Sequence, residues 1–305
     1  MLRRRAGESA RELVEAAKPI AEQAVTDEVV ASFADAASPR YRELMQSLVR
    51  HLQAFAREVR LTQAEWDAGI DFLTRVGHIT TDKRQEFILL SDVLGLSMLT
   101  VAVNAAASAG ATESTVFGPF FVDGAPEVPL GGDIARGAKG IPCYVAGRVR
   151  SVEGTALPGA RIDVWEADED GFYDVQYEGD RVAGRGWLRA GEGGEYSFWS
   201  VRPAPYPIPD DGPVGDLLKA AGRSPMRPAH LHFKVDADGY RTLITHIFLA
   251  GDQYLASDAV FGVKQSLIVD IAEHAPGTAP DGTRLDRPWT SIDFDLVLAP
   301  EDDLS

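Results

Sequence analysis

The chain has 305 residues, of which 45% are hydrophobic and 25% charged, a composition typical of globular proteins with a substantial buried core. Its formal net charge of −16 argues against nucleic acid as a partner, because a phosphate backbone is bound by clustered cations. Cys143 is the only cysteine, which excludes an intrachain disulfide and any multi-cysteine metal site. A reducing compartment is therefore favoured, and because the arginines of MLRRRAGES precede no apolar signal-peptide core, we expect a cytoplasmic protein.

The first third of the sequence predicts helices, because apolar residues recur at helical spacing behind capping signals. Predicted helix starts are the capping boxes Ser9–Glu12 and Thr62–Glu65 and the pair Ser38–Pro39. Two apolar stripes follow these signals: Tyr41, Leu44, Met45, Leu48, Leu52, Phe55 and Val59, then Trp66, Ile70, Leu73 and Val76. Residues 82–109 predict a third helix, nearly all apolar. Because Ser, Thr and Asn interrupt its most apolar stretch, we expect this helix to be buried in the protein rather than to span a membrane.

After about residue 112 the pattern changes to short alternating runs that predict β-strands. These runs are YVAGRVRS, ARIDVWEA, EYSFWSV, AHLHFKV, TLITHIFLA and SIDFDLVLA. Strands without long helices between them predict a mainly β protein, an antiparallel β-sandwich. Two long irregular segments, 168–191 and 202–228, interrupt the strands, and loops of that length are usually functional. We therefore predict a helical N-terminal domain, 1–112, and a β-sandwich domain, 113–305.

His230 and His232 lie two residues apart in the strand AHLHFKV, so both side chains point to the same face. That spacing allows two imidazoles to bind one metal ion, although two hydrogen-bonding histidines would show the same pattern. The commonest ferrous site has a carboxylate two residues after its first histidine, and no such His-x-Asp or His-x-Glu pair occurs here, so further ligands must come from elsewhere. Tyr173 and Tyr177 in DEDGFYDVQY and Tyr206 in PAPYPIP are candidates, and ordinary packing aromatics are the alternative interpretation.

Taken together, GFYDVQY, PAPYPIP and RPAHLHF resemble the ligand pattern of the intradiol ring-cleaving dioxygenases, which use non-haem ferric iron. The resemblance extends over most of the chain. It implies that Tyr173, Tyr206, His230 and His232 bind Fe(III), and it disfavours Tyr177. A ferric ion also explains the residue types, because a phenol with an ordinary pKa near 10 needs a strong cation to ionise at neutral pH.

The same resemblance assigns roles beyond the metal ligands. Tyr206 would leave the iron when a catechol-type substrate binds and accept one substrate proton, and Arg227 would stabilise the developing negative charge. The implied substrate-binding residues are Leu89, Asp92, Val116, Phe117, Gly118, Pro119, Phe120, Ile208, Pro209, Arg227 and Val260. Asp92 is expected to bind a third hydroxyl of the substrate, since a carboxylate in an apolar helix needs a partner.

The pattern is most like the branch of the family that cleaves hydroxyquinol (benzene-1,2,4-triol) with dioxygen to maleylacetate. His246 supports this branch, because simple catechol enzymes usually have glutamine at that position; a hydrogen-bonding role behind the ligands is the alternative. Catechol or chlorocatechol remains an alternative substrate, cleaved to cis,cis-muconates.

A non-catalytic β-sandwich binding module is the alternative of another class, and a zinc hydrolase is disfavoured because no carboxylate base stands beside the histidines. The resemblance also implies a homodimer through the N-terminal helices and allows a bound phospholipid at that interface.

Overall fold

The computed structural model describes residues 21–82, 84–105, 109–179 and 181–301. The chain divides into two compact units at Leu73 and Thr74. The predicted capping box of Ser9 and Glu12 lies outside the described residues.

The first unit contains the helices α1 (Glu22–Ser32) and α2 (Pro39–Glu58) and most of α3 (Gln63–Ile79). Both predicted helix starts in this region are confirmed. The backbone N–H of Tyr41 donates to the Ser38 hydroxyl at 3.0 Å, which caps α2. Thr62 and Glu65 form the reciprocal bonds of a capping box, at 2.8 and 3.3 Å, at the start of α3.

The prediction of one buried helix over 82–109 is wrong in two respects. The segment forms two helices, α4 (Glu86–Val93) and α5 (Leu96–Asn104), because Gly95 adopts a left-handed conformation with φ 73°. Only α4 is inserted in the protein, and no residue of α5 is buried. Among the described residues no single helix has the length and hydropathy to cross a bilayer. Only α4 and α5 taken together reach that length and hydropathy, and their axes are bent by 76° at the break between them.

Two main sheets and two short ribbons make up the strands of the second unit. The strands are β1 (Gly132–Asp133), β2 (Pro142–Ser151), β3 (Arg161–Trp165), β4 (Arg185–Arg189), β5 (Glu195–Val201), β6 (Tyr206–Pro207), β7 (Met226–Arg227), β8 (His230–Asp236), β9 (Leu243–Leu249), β10 (Ile268–Val269), β11 (Ala272–His274), β12 (Gly277–Thr278), β13 (Arg284–Leu285), β14 (Trp289–Asp293) and β15 (Leu296–Leu298). One sheet has the order β1-β5-β2-β14-β11, with β15 also paired to β2, and the other has the order β10-β9-β8-β3-β4. The ribbons are β6-β7 and β12-β13.

The sheets are mixed, so the prediction of an antiparallel sandwich is only partly correct. The long strand β2 pairs antiparallel with β5 on one side but parallel with β14 and β15 on the other. The pairs β1–β5 and β9–β10 are also parallel. Alternation in a sequence shows which side chains share a face of a strand, but strand direction depends on how the loops return the chain.

One hydrophobic core contains residues from both main sheets, and it fixes the orientation of β8. Leu231, Phe233 and Val235 point into this core, so His230 and His232 point to the opposite face. That face is not polar surface, since both histidines are almost fully buried. The segments that cover it must therefore supply partners for two buried imidazoles.

The two long irregular segments contain more regular structure than predicted. Segment 168–191 includes a 3₁₀ turn, Asp174–Gln176, and the strand β4. Segment 202–228 includes β6, the helix α6 (Pro213–Ala220) and β7. The last predicted strand is divided at Phe294, where the pairing with β2 shifts from β14 to β15.

Candidate metal centre and substrate cavity

The two histidines of β8 present the same ring nitrogen to one point. Their Nε2 atoms lie 3.2 Å apart. The Nδ1 of His230 lies 2.7 Å from the carbonyl oxygen of Pro228, so Nδ1 carries the proton and the lone pair is on Nε2. This backbone bond sets the tautomer that a metal ligand requires.

Tyr173 brings a phenolic oxygen to the same point. Its hydroxyl lies 2.8 Å from Nε2 of His232 and 3.4 Å from Nε2 of His230. Its backbone N–H donates to the side chain of Gln176 at 2.9 Å, and its ring stacks on Phe120 with centroids 4.4 Å apart. The tyrosine is therefore held from its backbone and from one face of its ring.

A buried ion pair supports the turn that carries Tyr173. Asp174 accepts hydrogen bonds from the guanidinium of Arg185, with Nε at 2.8 and 2.7 Å from its two oxygens. Arg185 lies on β4 and is buried together with its partner. This pair anchors the turn to the second sheet, and nothing in the sequence pattern predicts it.

Tyr206 supplies the fourth donor from the ribbon β6-β7. Its hydroxyl lies 3.1 Å from that of Tyr173 and 3.5 Å from Nε2 of His230. Gly171 makes this approach possible, because at φ 83° a Cβ there would lie 2.7 Å from the Cβ of Tyr206. The other predicted candidate, Tyr177, is outside the site, partly exposed, and its hydroxyl donates to Asp168 at 2.7 Å.

Burial keeps all four donors uncharged in the absence of a cation. Burial raises the pKa of both Tyr173 and Tyr206 above the usual value for a phenol. Burial and then the Arg227 charge lower the pKa of His230 to about 3, and burial also lowers the pKa of His232. The donor set therefore consists of two neutral imidazoles and two phenols that a cation would ionise. Such a set fits a trivalent metal.

His246 is a third buried histidine beside this set. It faces His232 across β8 and β9, and the ligating nitrogens of His230, His232 and His246 lie within 4.8 Å of one another. The phenolic oxygens are nearer to the histidine pair, at 2.8 to 3.5 Å, so the tyrosines are the better third and fourth donors. Nδ1 of His246 instead lies 3.5 Å from a guanidinium nitrogen of Arg227.

Arg227 is buried at the edge of the donor set. Its NH1 lies 3.0 Å from Nε2 of His230, and its Nε donates to Asp258 at 3.1 Å. Burial disfavours its charge, but Asp258 and the neighbouring tyrosines more than compensate and raise its pKa. A permanent positive charge is thus held within hydrogen-bonding distance of the point where the donors converge.

A cavity of about 480 Å³ adjoins the centre, a size suited to a small aromatic molecule. It contains five of the predicted substrate-binding residues: Leu89, Pro119, Phe120, Ile208 and Pro209. Arg84, Glu86 and Asp211 also line it and form ion pairs with one another, at 3.1 Å for Arg84–Glu86 and 2.8 Å for Arg84–Asp211. Sequence analysis did not single out these three residues.

The remaining predicted substrate residues are not among those that line this cavity. Val116, Asp92 and Val260 are buried, and Phe117 is partly exposed and packs edge-on against Trp165. Gly118 is in contact distance of the centre, because a Cβ there would lie 3.3 Å from Cε1 of His232.

Asp92 lies in the electrostatic field of the centre. Burial raises the pKa of Asp92, and a hydrogen bond with Ser97 and then the positive charge of Arg227 offset only part of that rise. Its helix is connected to the segment of Val260 by Arg223, which donates to the carbonyl oxygens of Val93 at 2.6 Å and Ala259 at 3.0 Å.

Sequence analysis also missed Trp165 and Asp258. The indole of Trp165 stacks on His232 with centroids 4.6 Å apart and rings at 20°. Trp165 belongs to the predicted strand ARIDVWEA, so its burial was foreseeable, but only the pairing of Trp165 with His232 places its indole on that imidazole. Asp258 is 31 residues from Arg227 in the chain and carries no local signal.

Comparison with known proteins gives a consistent result along the whole chain. Residues 38–112 match the family model described as "Catechol dioxygenase N terminus", and residues 117–300 match the model described as "Dioxygenase". A hydroxyquinol 1,2-dioxygenase of Rhodococcus opacus is 62% identical over 92% of this chain and 94% of its own length. One from Nocardioides simplex is 57% identical over 94% of this chain and 98% of its own length.

A solved structure is similar over the same extent. The crystal structure of hydroxyquinol 1,2-dioxygenase from Pseudomonas putida DLL-E4 has 45% sequence identity and a TM-score of 0.84. The match covers 92% of this chain and 99% of that one.

The contact between Gly118 and His232 predicts a selective effect of Gly118→Ala on metal binding. The left-handed backbone, φ 76°, should cost about 1–2 kcal/mol of unfolding free energy, and the new methyl group should push against the His232 ring. Gly124→Ala is the matched control, since Gly124 has φ 82° and no atom of the described residues lies within 4 Å of the position that a Cβ would take. Denaturant unfolding should show similar losses of unfolding free energy in the two variants. Metal titration should show weaker binding only for Gly118→Ala. Equal metal affinity in the two variants would contradict the prediction.

Proposed function

Because the chain belongs to the intradiol ring-cleavage dioxygenases, we propose that it cleaves hydroxyquinol with dioxygen at a non-haem Fe(III) centre. The ring opens between the two carbons that carry adjacent hydroxyl groups, and both oxygen atoms enter the product, maleylacetate. The observation that carries this proposal is the convergence of two phenolic oxygens and two imidazole nitrogens within 3.5 Å beside a buried guanidinium.

Tyr173, Tyr206, His230 and His232 are the proposed iron ligands. Bound Fe(III) would act as a Lewis acid toward the two adjacent oxygens of the substrate. The two imidazoles remain neutral because burial lowers their pKa, and the phenols ionise only in exchange for the metal charge.

Tyr206 is the proposed proton acceptor for the substrate. Its hydroxyl lies 3.5 Å from Nε2 of His230, about as far as the hydroxyl of Tyr173 at 3.4 Å, but the hydroxyl of Tyr173 also lies 2.8 Å from Nε2 of His232. Tyr173 is held by Gln176 and Phe120, whereas Tyr206 lies on a two-residue strand. Tyr206 is therefore the donor that can exchange with substrate oxygen, and Arg227 is placed to stabilise negative charge on the substrate ring.

The cavity accounts for binding of the aromatic ring, and Asp92 for the preference for a triol. The apolar walls of Leu89, Pro119, Phe120 and Ile208 fit the faces of a ring. We propose that the buried carboxylate of Asp92, near the Arg227 charge, accepts a hydrogen bond from the third hydroxyl. Catechol, which lacks that hydroxyl, is the alternative substrate.

The most direct test of the metal assignment is the visible spectrum together with iron analysis. Phenolate-to-iron charge transfer should make the purified protein red-brown with about one iron per chain. Tyr206→Phe and Tyr173→Phe should each change the charge-transfer band in the visible spectrum, because each variant removes one phenolate. Tyr177→Phe should not, since Tyr177 donates to Asp168 outside the centre. A colourless, iron-free protein with no oxygen uptake would instead favour a non-catalytic binding module.

Asp92→Asn should change the substrate preference. Loss of the charged acceptor should lower kcat/KM for benzene-1,2,4-triol by about tenfold or more, since a hydrogen bond to a charged group contributes about 1.5–3 kcal/mol. The kcat/KM for catechol should change little. The ratio of the kcat/KM values for the two substrates controls for loss of folded enzyme. Wild-type preference for catechol, or equal losses with both substrates, would contradict the role of Asp92.

We propose that α2 forms the interface of a homodimer and that a phospholipid can bind there. Six of the seven apolar residues of the predicted stripe, Tyr41, Leu44, Leu48, Leu52, Phe55 and Val59, are each 50–62% exposed. A continuous apolar stripe of this kind on a helix requires a covering partner. The proposed division of roles is dimerisation by residues 1–112 and catalysis by residues 113–305, with Leu89 of α4 contributing to the cavity.

Leu52→Glu should dissociate this dimer, because a carboxylate would be buried in the apolar contact. Ala54→Glu is a charge-matched control at an exposed position on the other side of α2. Light scattering should give a dimer for the wild type and the control and a monomer for Leu52→Glu. A monomeric wild type would refute the interface.

The single, buried Cys143 is compatible with the proposed cytoplasmic location.

A further inference from the structure

The carboxylate of Asp258 forms a buried ion pair with Arg227 that the proposed reaction does not use. The side chains of Asp258 and Arg227 are 2% and 3% exposed. The carboxylate faces one edge of the guanidinium, with Nε at 3.1 Å from Oδ1 and NH2 at 3.5 Å from Oδ2. The remaining nitrogen, NH1, is the one that lies 3.0 Å from Nε2 of His230. The carboxylate thus determines which edge of the guanidinium faces the centre.

Asp258 is itself fixed by the backbone that follows it. Its Oδ2 accepts the N–H of Gly262 at 2.8 Å, and its Oδ1 accepts the N–H of Val260 at 3.3 Å. A Cβ at Gly262 would lie 3.2 Å from both Asp258 Oδ2 and Arg227 NH2, so glycine allows the segment to close over the ion pair. The carboxylate therefore connects Arg227 to the segment that carries Val260.

A second arginine also contacts this segment. Phe261 has a left-handed backbone, φ 59°, which is unfavourable for a bulky residue and needs support from its surroundings. Arg223 supplies that support, with its guanidinium carbon 4.8 Å from the centre of the Phe261 ring and a hydrogen bond to Ala259. Arg227 and Arg223 thus both contact the segment 258–262.

Competing partners make the orientation of Arg227 matter. Nδ1 of His246 lies 3.5 Å from NH2, and the charge of Arg227 also acts on the carboxylate of Asp92, where it partly offsets the rise in pKa that burial causes. Without the charge of Asp258, Asp92 would be the carboxylate left to attract the guanidinium. A turn of the guanidinium toward Asp92 would remove NH1 from the reacting ring.

We propose that Asp258 is a positioning residue, which holds Arg227 with NH1 toward the metal centre and keeps the guanidinium away from Asp92. This inference rests on the proposed function, because it assigns a residue that acts through Arg227. Asp258 itself need not touch the substrate.

The test is a double-mutant cycle on the iron-loaded enzyme with hydroxyquinol. Asp258→Asn should lower kcat per bound iron at least tenfold and change KM by less than threefold, since Arg227 acts on charge that develops during the reaction. Arg227→Lys should lower kcat further, and the double variant should be no slower than Arg227→Lys alone. Iron content and the visible band of Asp258→Asn should match the wild type.

Asp163→Asn is the matched control for general destabilisation. Asp163 is 5% exposed in its side chain and bonded to Arg161 at 2.8 Å on β3, outside the cavity lining. It should lower the melting temperature but leave kcat per iron within twofold of the wild type. The proposal is overturned if Asp258→Asn stays within twofold of the wild type, if Asp163→Asn lowers kcat equally, or if the two losses multiply in the double variant.

A crystal structure of Asp258→Asn provides a readout that is independent of turnover. It should show the Arg227 guanidinium displaced toward Asp92, and an unmoved guanidinium would refute the positioning role. This result stands even if hydroxyquinol proves not to be the substrate. Failure of the proposed function would appear instead as a wild type without iron or oxygen uptake.

Discussion

The orientation of the single strand β8 determines the rest of the site. Leu231, Phe233 and Val235 enter the core shared by the two sheets, so His230 and His232 must lie on the other face. A register shift by one residue would bury the histidines in the core and remove the apolar residues from it, a cost that fixes the strand. The core thus specifies the positions of the two histidines that we propose as metal ligands.

The second constraint is electrostatic. Buried phenols and imidazoles are stable without a metal only while neutral, and the centre accordingly has groups whose pKa values favour neutrality. A permanent cation, Arg227, borders the donor set and is balanced by Asp258. The second buried ion pair, Arg185–Asp174, supports the turn of Tyr173, so Arg227 is the charge that we propose acts on the substrate.

Local patterns in the sequence predicted much of this protein because they report local physics. Ser38 and Thr62 mark helix starts through bonds within three residues, and alternation in AHLHFKV shows the faces of β8. Predictions failed where the structure depends on how distant segments of the chain pack together or on a single backbone conformation. The parallel pairing of β14 with β2 and the exposure of α5 depend on the path of the chain, and the break at Gly95 depends on a backbone conformation.

The sequence alone determined the donor types, their order and their similarity to a known ligand pattern, because these are properties of short motifs. Only the tertiary structure decided that Tyr173 and Tyr206 reach the histidines and Tyr177 does not, that Trp165 stacks on His232, and that Asp258 faces Arg227. The physical reason is separation along the chain: these contacts join residues 24 to 67 positions apart, and they form only when sheet pairing and core packing bring their segments together.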